Sequence, residues 1–240
     1  MTQAPSRYAI YLIPDPEAPL FQRASQWLGW DCVAGRVAST PPESLLGDLR
    51  ELDTGQLVSP ARKYGFHGTI KPPFRLAEGM REDMLVARAM EVAASVEPVI
   101  IEELHIASLG DFLALVPDAP SKALGELAAE MVTGLDDFRR PADEAELARR
   151  RAAGLSQRQE ELLAAWGYPY VLDEFRFHMT LSGRLAPDIR DRVRDMLARL
   201  IGPTLPKPFM IDRLALVGEG PDGMFRMICW IPLADRRPVP

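Results

Sequence analysis

One five-residue phrase occurs twice in this chain. Phe66-His67-Gly68-Thr69-Ile70 and Phe177-His178-Met179-Thr180-Leu181 both read Phe-His-x-Thr-(Ile/Leu), 111 positions apart. The chain has three histidines, and the repeat holds two of them. In a β-strand, side chains at i and i+2 leave the same face. His67 and Thr69 therefore point one way, as do His178 and Thr180. Phe66, Gly68 and Ile70 point the other way, as do Phe177, Met179 and Leu181, and those residues suit a buried face. Each copy offers an imidazole and a hydroxyl backed by core packing.

That pairing carries chemistry. A hydroxyl donates a hydrogen bond to a phosphate oxygen. An imidazole takes or gives a proton near neutrality. Two such pairs across a cleft would hold a phosphate and act on both sides of its phosphorus, one His as base and the other as acid. The sequence does not assign the two roles. A lone His on a strand is usually a satisfied, half-buried residue; two copies with the same neighbours favour function. No third His, Cys pair or His-Glu-x-x-His spacing accompanies either copy, so no metal and no cofactor are expected.

The repeat extends beyond the phrase. Tyr8 to Ile13 is predicted as a strand, and Leu20 to Leu28 has helical spacing. Between Val37 and Pro60 the pattern is mixed, with a helix start at Pro41-Pro42-Glu43 ahead of Leu45, Leu46, Leu49 and Leu52. The first His strand is expected to stop at Pro72 and Pro73. A helix over Arg81 to Ala94 and a hairpin turning at Gly110-Asp111 follow. Ser121 to Trp166 reads as helical, with Pro141 in the first turn of one helix and Gly154 after it. A capping box opens the next helix at Ser156, and Gly167 stops it. After the second His strand, within Tyr170 to Ser182, come a helix from Pro187 and a hairpin turning at Glu219 to Gly223. Asp235 to Pro240 reads as a terminal tail. His67 precedes Gly110 by 43 positions and His178 precedes Gly220 by 42. Matching order and spacing indicate internal duplication. The expected fold is α+β and bilobal, with two antiparallel sheets lining a central groove and helices packed outside. Lobe 1 covers about 7–118, a helical insert about 119–168 and lobe 2 about 169–234.

Composition limits the partners. A formal charge of −6 and a pI near 5.2 give no overall attraction to a long polyanion. Duplex nucleic acid is disfavoured, as is RNA processing, and an anionic substrate must be handled locally. Cys32 and Cys229 read as ordinary free thiols. No signal peptide or run of about 18 apolar residues is evident, so a cytoplasmic protein without membrane contact is expected. Nothing in the sequence sets the oligomeric state.

Further residues qualify as substrate contacts. Lys71 shares the strand face of His67 and Thr69 if the strand persists to Pro72. Arg176 has the parity of His178 and could clamp a phosphate. Arg139 could reach over the groove from the insert. Tyr64 points away in an ideal strand and lines the groove only if Gly65 breaks the pleat. Arg149, Arg150 and Arg151 read as a solvated helix end, Trp166 to Tyr170 as core, and His105 as structural.

Two His-x-Thr motifs in a duplicated α+β chain resemble the 2H phosphoesterase superfamily, relatives of bacterial RNA 2′,5′ ligase and the cyclic nucleotide phosphodiesterases. The stretches Arg62 to Phe74, Asp137-Phe138-Arg139, Trp166 to Tyr170 and Phe175 to Leu181 resemble a narrower bacterial family associated with phosphonate metabolism, DUF1045. The likeness runs from about Tyr8 to Leu233. It implies a groove lined by both motifs and metal-independent action on a cyclic or 2′-linked phosphodiester, with His67 and His178 as the acid/base pair and Thr69 and Thr180 as phosphate donors. The implied partner is a small phosphorylated substrate, a nucleotide or ribose phosphate. The alternative is a non-catalytic protein that binds such a molecule in the same cleft.

Overall fold

A computed structural model of the chain describes residues 4–234, apart from 42, 47, 48, 50 and 153. The sequence-predicted tail, Asp235 to Pro240, lies outside the described residues. The chain opens with β1 (Tyr8–Leu12), α1 (Pro19–Leu28), α2 (Glu43–Leu46) and α3 (Thr54–Arg62). Then come β2 (Gly68–Phe74), α4 (Glu82–Ala93), β3 (Val99–Ile101), β4 (Leu104–Leu109) and β5 (Phe112–Pro117). The insert supplies α5 (Lys122–Gly134), α6 (Glu144–Arg151) and α7 (Gln157–Trp166). β6 (Met179–Thr180), α8 (Pro187–Leu200), β7 (Phe209–Ile211), β8 (Arg213–Glu219) and β9 (Phe225–Pro232) complete it.

Local sequence explains most of these boundaries. Pro19 opens α1, and Gly29, at φ 75°, closes it in the left-handed conformation. Ser121 caps α5, accepting from the Leu124 N–H. The Ser156/Gln159 capping box forms at α7. α6 starts at Glu144 rather than at Pro141, because the Asp143 side chain accepts from the Glu146 N–H and sets the cap there. α3 was not predicted. Asp53 caps it, accepting from Gly55 and Gln56, but Gly55 and Pro60 inside the helix hide its period. The helix expected from Pro42 to Leu52 is present as α2, with part of the expected span outside the described residues.

The α+β class holds, and the strands of the two lobes join. Seven of them form one sheet in the order β4-β5-β6-β2-β1-β8-β9, while β3 and β7 form a separate pair. All five residues of β1 are buried. Such an unbroken apolar strand belongs at the centre of a sheet covered on both faces. The two His strands sit side by side, joined antiparallel at Gly68 and Met179. Each hairpin completes the other half's side of the sheet. β4–β5, from the first half, flanks the second His strand, and β8–β9, from the second half, lies beyond β1 on the side of the first. β3 and β7, the short strands that precede the two hairpins, pair with each other.

β2 does not stop at Pro72 and Pro73 as expected; it runs through both to Phe74. Its pairing with β6 is recorded only at Gly68, so the prolines lie where β6 asks for no amide. Toward β1, Tyr8 pairs with Phe74 and Ile10 with Lys71, so both prolines fall in a bulge opposite Ala9. Bulges and unpaired edges are where a strand tolerates proline. No helix among the described residues is long and apolar enough to cross a membrane. Both cysteines are free.

Candidate active site

The Gly68–Met179 pair fixes the site. In an antiparallel ladder that register sets His67 across from Thr180 and Thr69 across from His178. Gly68 and Met179 face the interior, and Met179 is fully buried. The four polar side chains therefore emerge on the other face as a square, its motifs diagonally crossed. Cα atoms opposite each other in such a ladder lie about 4.5–5.5 Å apart. Gly68 keeps the strands close: a Cβ there would come within 2.3 Å of the Phe177 ring.

Both imidazoles are aimed by the same device. Nδ1 of His67 donates to the Gly65 carbonyl at 2.9 Å, and Nδ1 of His178 donates to the Arg176 carbonyl at 2.9 Å. A carbonyl only accepts, so each Nδ1 carries the proton and each Nε2 is left for the groove. In His67, Nε2 lies 3.1 Å from the Thr69 hydroxyl. The ring is stacked on Tyr11, centroids 3.8 Å apart. Burial pushes the His67 pKa down to about 4; the Gly65 bond opposes the shift, and the positive charge of His178 adds to it. His67 is thus held neutral at pH 7. His178 packs beside Phe112, ring centroids 5.8 Å apart.

Two basins meet at His67 and Thr180, while His178 lines neither. One, of about 470 Å³, is lined by Gln56, Pro60, Ala61, Phe112, Gly183 and Arg184, together with His67 and Thr180. The other, of about 530 Å³, is lined by Arg7, Tyr11, Lys63, Arg149, Arg150 and Tyr168, with His67, Thr69 and Thr180 at its inner end. Tyr64 borders both. Gly65, at φ 74°, breaks the pleat, so the condition for Tyr64 to reach the groove is met. Gly65 also abuts Cys32, leaving no room for a Cβ.

Three of the expected substrate contacts are placed elsewhere. Lys71 is 2 % exposed, and its ammonium donates to the Val132 carbonyl at 2.8 Å, with Asp136 at 3.7 Å. A bulge explains the difference. Tyr11 pairs with Thr69, but Ile10 pairs with Lys71, so one extra residue shifts the alternation and turns Lys71 from the groove toward α5. Burial lowers its pKa to about 8, against the pull of Asp136. Arg139 grips Asp136 through two bonds, at 2.7 and 3.0 Å, and also donates to the Ala165 carbonyl. It is a strut inside the insert. Arg176 is exposed, and its guanidinium donates to the carbonyls of Asp173 and Phe175.

The sequence reading missed the cations that do line the groove. Arg149 and Arg151 are exposed, as expected of a helix end, but Arg149 and the half-buried Arg150 also border the larger basin, while Arg151 pairs with Glu160. Their positions at the end of α6 carried the signal, but helix-end cations are common for dipole reasons alone. Arg7 stood outside the predicted motifs, and Lys63 lay within the Arg62 to Phe74 stretch without being singled out as a substrate contact. Trp166 packs in a small cluster with Val132, Leu162 and Val171, as expected, while Tyr168 also reaches the basin. His105 lies on β4 beside Asp118, away from the square. Among the described residues no group of three His, Cys, Asp or Glu is arranged to hold a metal ion.

Comparison with known proteins adds the following. A family model described as "Protein of unknown function (DUF1045)" matches residues 69–226, a span that includes Thr69, His178 and Thr180. A protein of Janthinobacterium sp. (strain Marseille) named ribose 1,5-bisphosphate phosphokinase PhnN is 40% identical over 186 residues, 77% of this chain and 40% of that protein. One of the same name from Laribacter hongkongensis (strain HLHK9) is 35% identical over 232 residues, 95% of this chain and 52% of that protein. The chain spans about half the length, or less, of these relatives. Among solved structures, E. coli LigT complexed with NADP+ overlaps 97% of this chain and 100% of its own, with TM-score 0.46 and 13% identity. A structure described as a phosphoesterase overlaps 96% and 100%, with TM-score 0.45 and 14% identity.

Proposed function

The chain belongs to the DUF1045 family, and on that premise we propose that it is a phosphoesterase acting on a small cyclic or 2′-linked phosphodiester by two-histidine acid/base catalysis. The observation that carries the reading is the Gly68–Met179 register, which crosses the two His-x-Thr pairs into one square. A phosphate seated on that square meets a hydroxyl and an imidazole from each strand.

His67 takes the part of general base. It is neutral at pH 7, and its Nε2 holds a lone pair toward the groove. It removes the proton from the water that attacks phosphorus. His178, protonated on Nε2, gives its proton to the departing sugar oxygen. One P–O bond forms, one breaks, and the product is a phosphate monoester with a free hydroxyl. Thr69 and Thr180 donate to the non-bridging oxygens. Tyr64, its ring centroid 6.0 Å from that of His67, borders the substrate. The square supplies both proton transfers and the phosphate donors from the chain's own side chains, so the step is written without a metal. The relatives' name, ribose 1,5-bisphosphate phosphokinase PhnN, supports a ribose phosphate in phosphonate metabolism as the setting. It does not by itself supply a kinase site here: the sequence contains no Gly-x-x-x-x-Gly-Lys-(Ser/Thr) loop.

The test is turnover of a panel of cyclic nucleotides and cyclic ribose phosphates. On a substrate that the wild type converts, His67→Ala and His178→Ala should each lower kcat by at least about 10², with circular dichroism and melting showing that the fold is kept. Full activity in both variants sinks the assignment. Stoichiometric binding without product over hours points instead to a binding protein that uses the same cleft.

A further inference from the structure

The larger basin is more than an approach to the square. We propose that it is a second anion site, so that the substrate is a phosphodiester bearing a separate terminal phosphate; this rests on the square being the reacting site. Three observations support it.

The first is charge. The basin wall holds Arg7, Lys63, Arg149 and Arg150 and no carboxylate. Arg7 is balanced by Glu219 and Arg150 by Glu146, each at 2.6–2.7 Å. Lys63 and Arg149 have no ion-pair partner among the described residues. About two positive charges are left uncompensated in a chain whose formal charge is −6. A phosphate monoester carries up to two negative charges near neutral pH, from its second ionisation near 6.

The second is unmet hydrogen bonding. The Tyr11 hydroxyl and the Arg150 Nε are both buried and both without a partner, and both side chains line this basin. Tyr11 is 0 % exposed, and burial holds its hydroxyl protonated by raising its pKa well above 10. A buried donor left unpaired has lost its water without gaining a partner, which is costly. Both belong to side chains of one cavity wall, so a small shift of that wall would bring an acceptor in the cavity within reach of them. An ionised phosphate oxygen accepts and does not donate.

The third is continuity. The same cavity has His67, Thr69 and Thr180 at its inner end. An anion held by Lys63 and Arg149 therefore sits on one molecule with the phosphorus at the square. The other basin differs: its one arginine, Arg184, is paired with Asp111 at 3.5 Å, and Pro60, Ala61 and Phe112 offer an apolar wall suited to a flat or apolar substituent. The site thus distinguishes the two ends of a sugar phosphodiester by charge.

The experiment compares adenosine 2′,3′-cyclic phosphate with the same compound phosphorylated at the 5′ position. The wild type should favour the 5′-phosphorylated form at least tenfold in kcat/KM. Lys63→Ala and Arg149→Ala, both at partly or fully exposed positions, should lower kcat/KM for that form at least tenfold more than for the other. Equal use of the two compounds, or a preference that persists in both variants, overturns the second site while leaving the phosphoesterase reading intact. If neither compound is turned over, the readout is calorimetric affinity. Tighter binding of the 5′-phosphorylated form, lost in the two variants, upholds the site and counts against the reaction; equal or absent binding overturns the site.

Discussion

His67 sits in a contradiction that its surroundings resolve. A base must be free of its proton at working pH, and the ring is also the one enclosed by Tyr11 and Thr69. Enclosure removes water from the imidazolium and lowers the pKa from 6.5 to about 4. The acid limb of the kcat/KM profile should then fall below pH 5.5 rather than near 6.5, and NMR titration of the free protein should find the same value. The sign for stability follows. The unfolded ring binds its proton below 6.5 and the folded ring only below about 4, so the neutral ring's contribution is complete above pH 6.5 and is lost as pH falls through 4. The loss is about 3 kcal/mol at most. His67→Gln, which never titrates, should flatten the stability-versus-pH curve between those limits. Lys71 makes the opposite case. Its ammonium spends its bonds on Val132 and Asp136, so Lys71→Met should leave KM unchanged. A KM raised tenfold or more would return the ammonium to the groove. The identity of the histidines and threonines was legible in the sequence because the phrase repeats. The fate of Lys71 was not, because a single inserted residue reverses strand parity and leaves no mark in composition.

At the scale of elements, β2 carries most of the argument. It supplies one edge of the square, tolerates two prolines and bulges twice along β1. Gly68 is where it touches β6, and the Phe177 ring fills the place of a side chain. Gly68→Ala should cost about 1–3 kcal/mol by overpacking, read from urea melts. It should also lower turnover by more than that loss explains, since it pries apart the strands that align the two motifs. The hairpins, α1, α4 and α8 could be predicted from periodicity and turn residues. α3 could not, since its own Gly and Pro deny it a period. β6 was expected as a longer strand; only Met179 and Thr180 pair as one, because Phe175 to His178 form an extended approach whose Arg176 carbonyl is used to orient His178.

At the scale of the molecule, the sheet is firm at its middle and looser around the groove. β1 is buried on both faces, whereas α6, which brings Arg149 and Arg150 to the larger basin, buries no residue. Amide exchange should follow that gradient, with α6 exchanging at least about a hundredfold faster than β1. Comparable rates would mean that α6 is locked in place by something other than packing. Catalysis should survive EDTA undiminished, since the square provides its own acid and base; loss with chelator and rescue by zinc would refute the acid/base scheme. The sequence foretold duplication and a shared groove, through the matched spacing of His strand and hairpin. It did not foretell that the two lobes' strands fuse into one sheet, because partner choice between strands is decided by contacts far apart along the chain.

The crossed hairpins have a consequence for the life of the polypeptide. Since the two His strands come from different halves and pair within one sheet, neither half holds the proposed site by itself. A chain interrupted before residue 178 carries at most one of that site's two histidines. Breakdown fragments and stalled nascent chains of that length should therefore lack the paired site, which an activity assay of the separate halves would check.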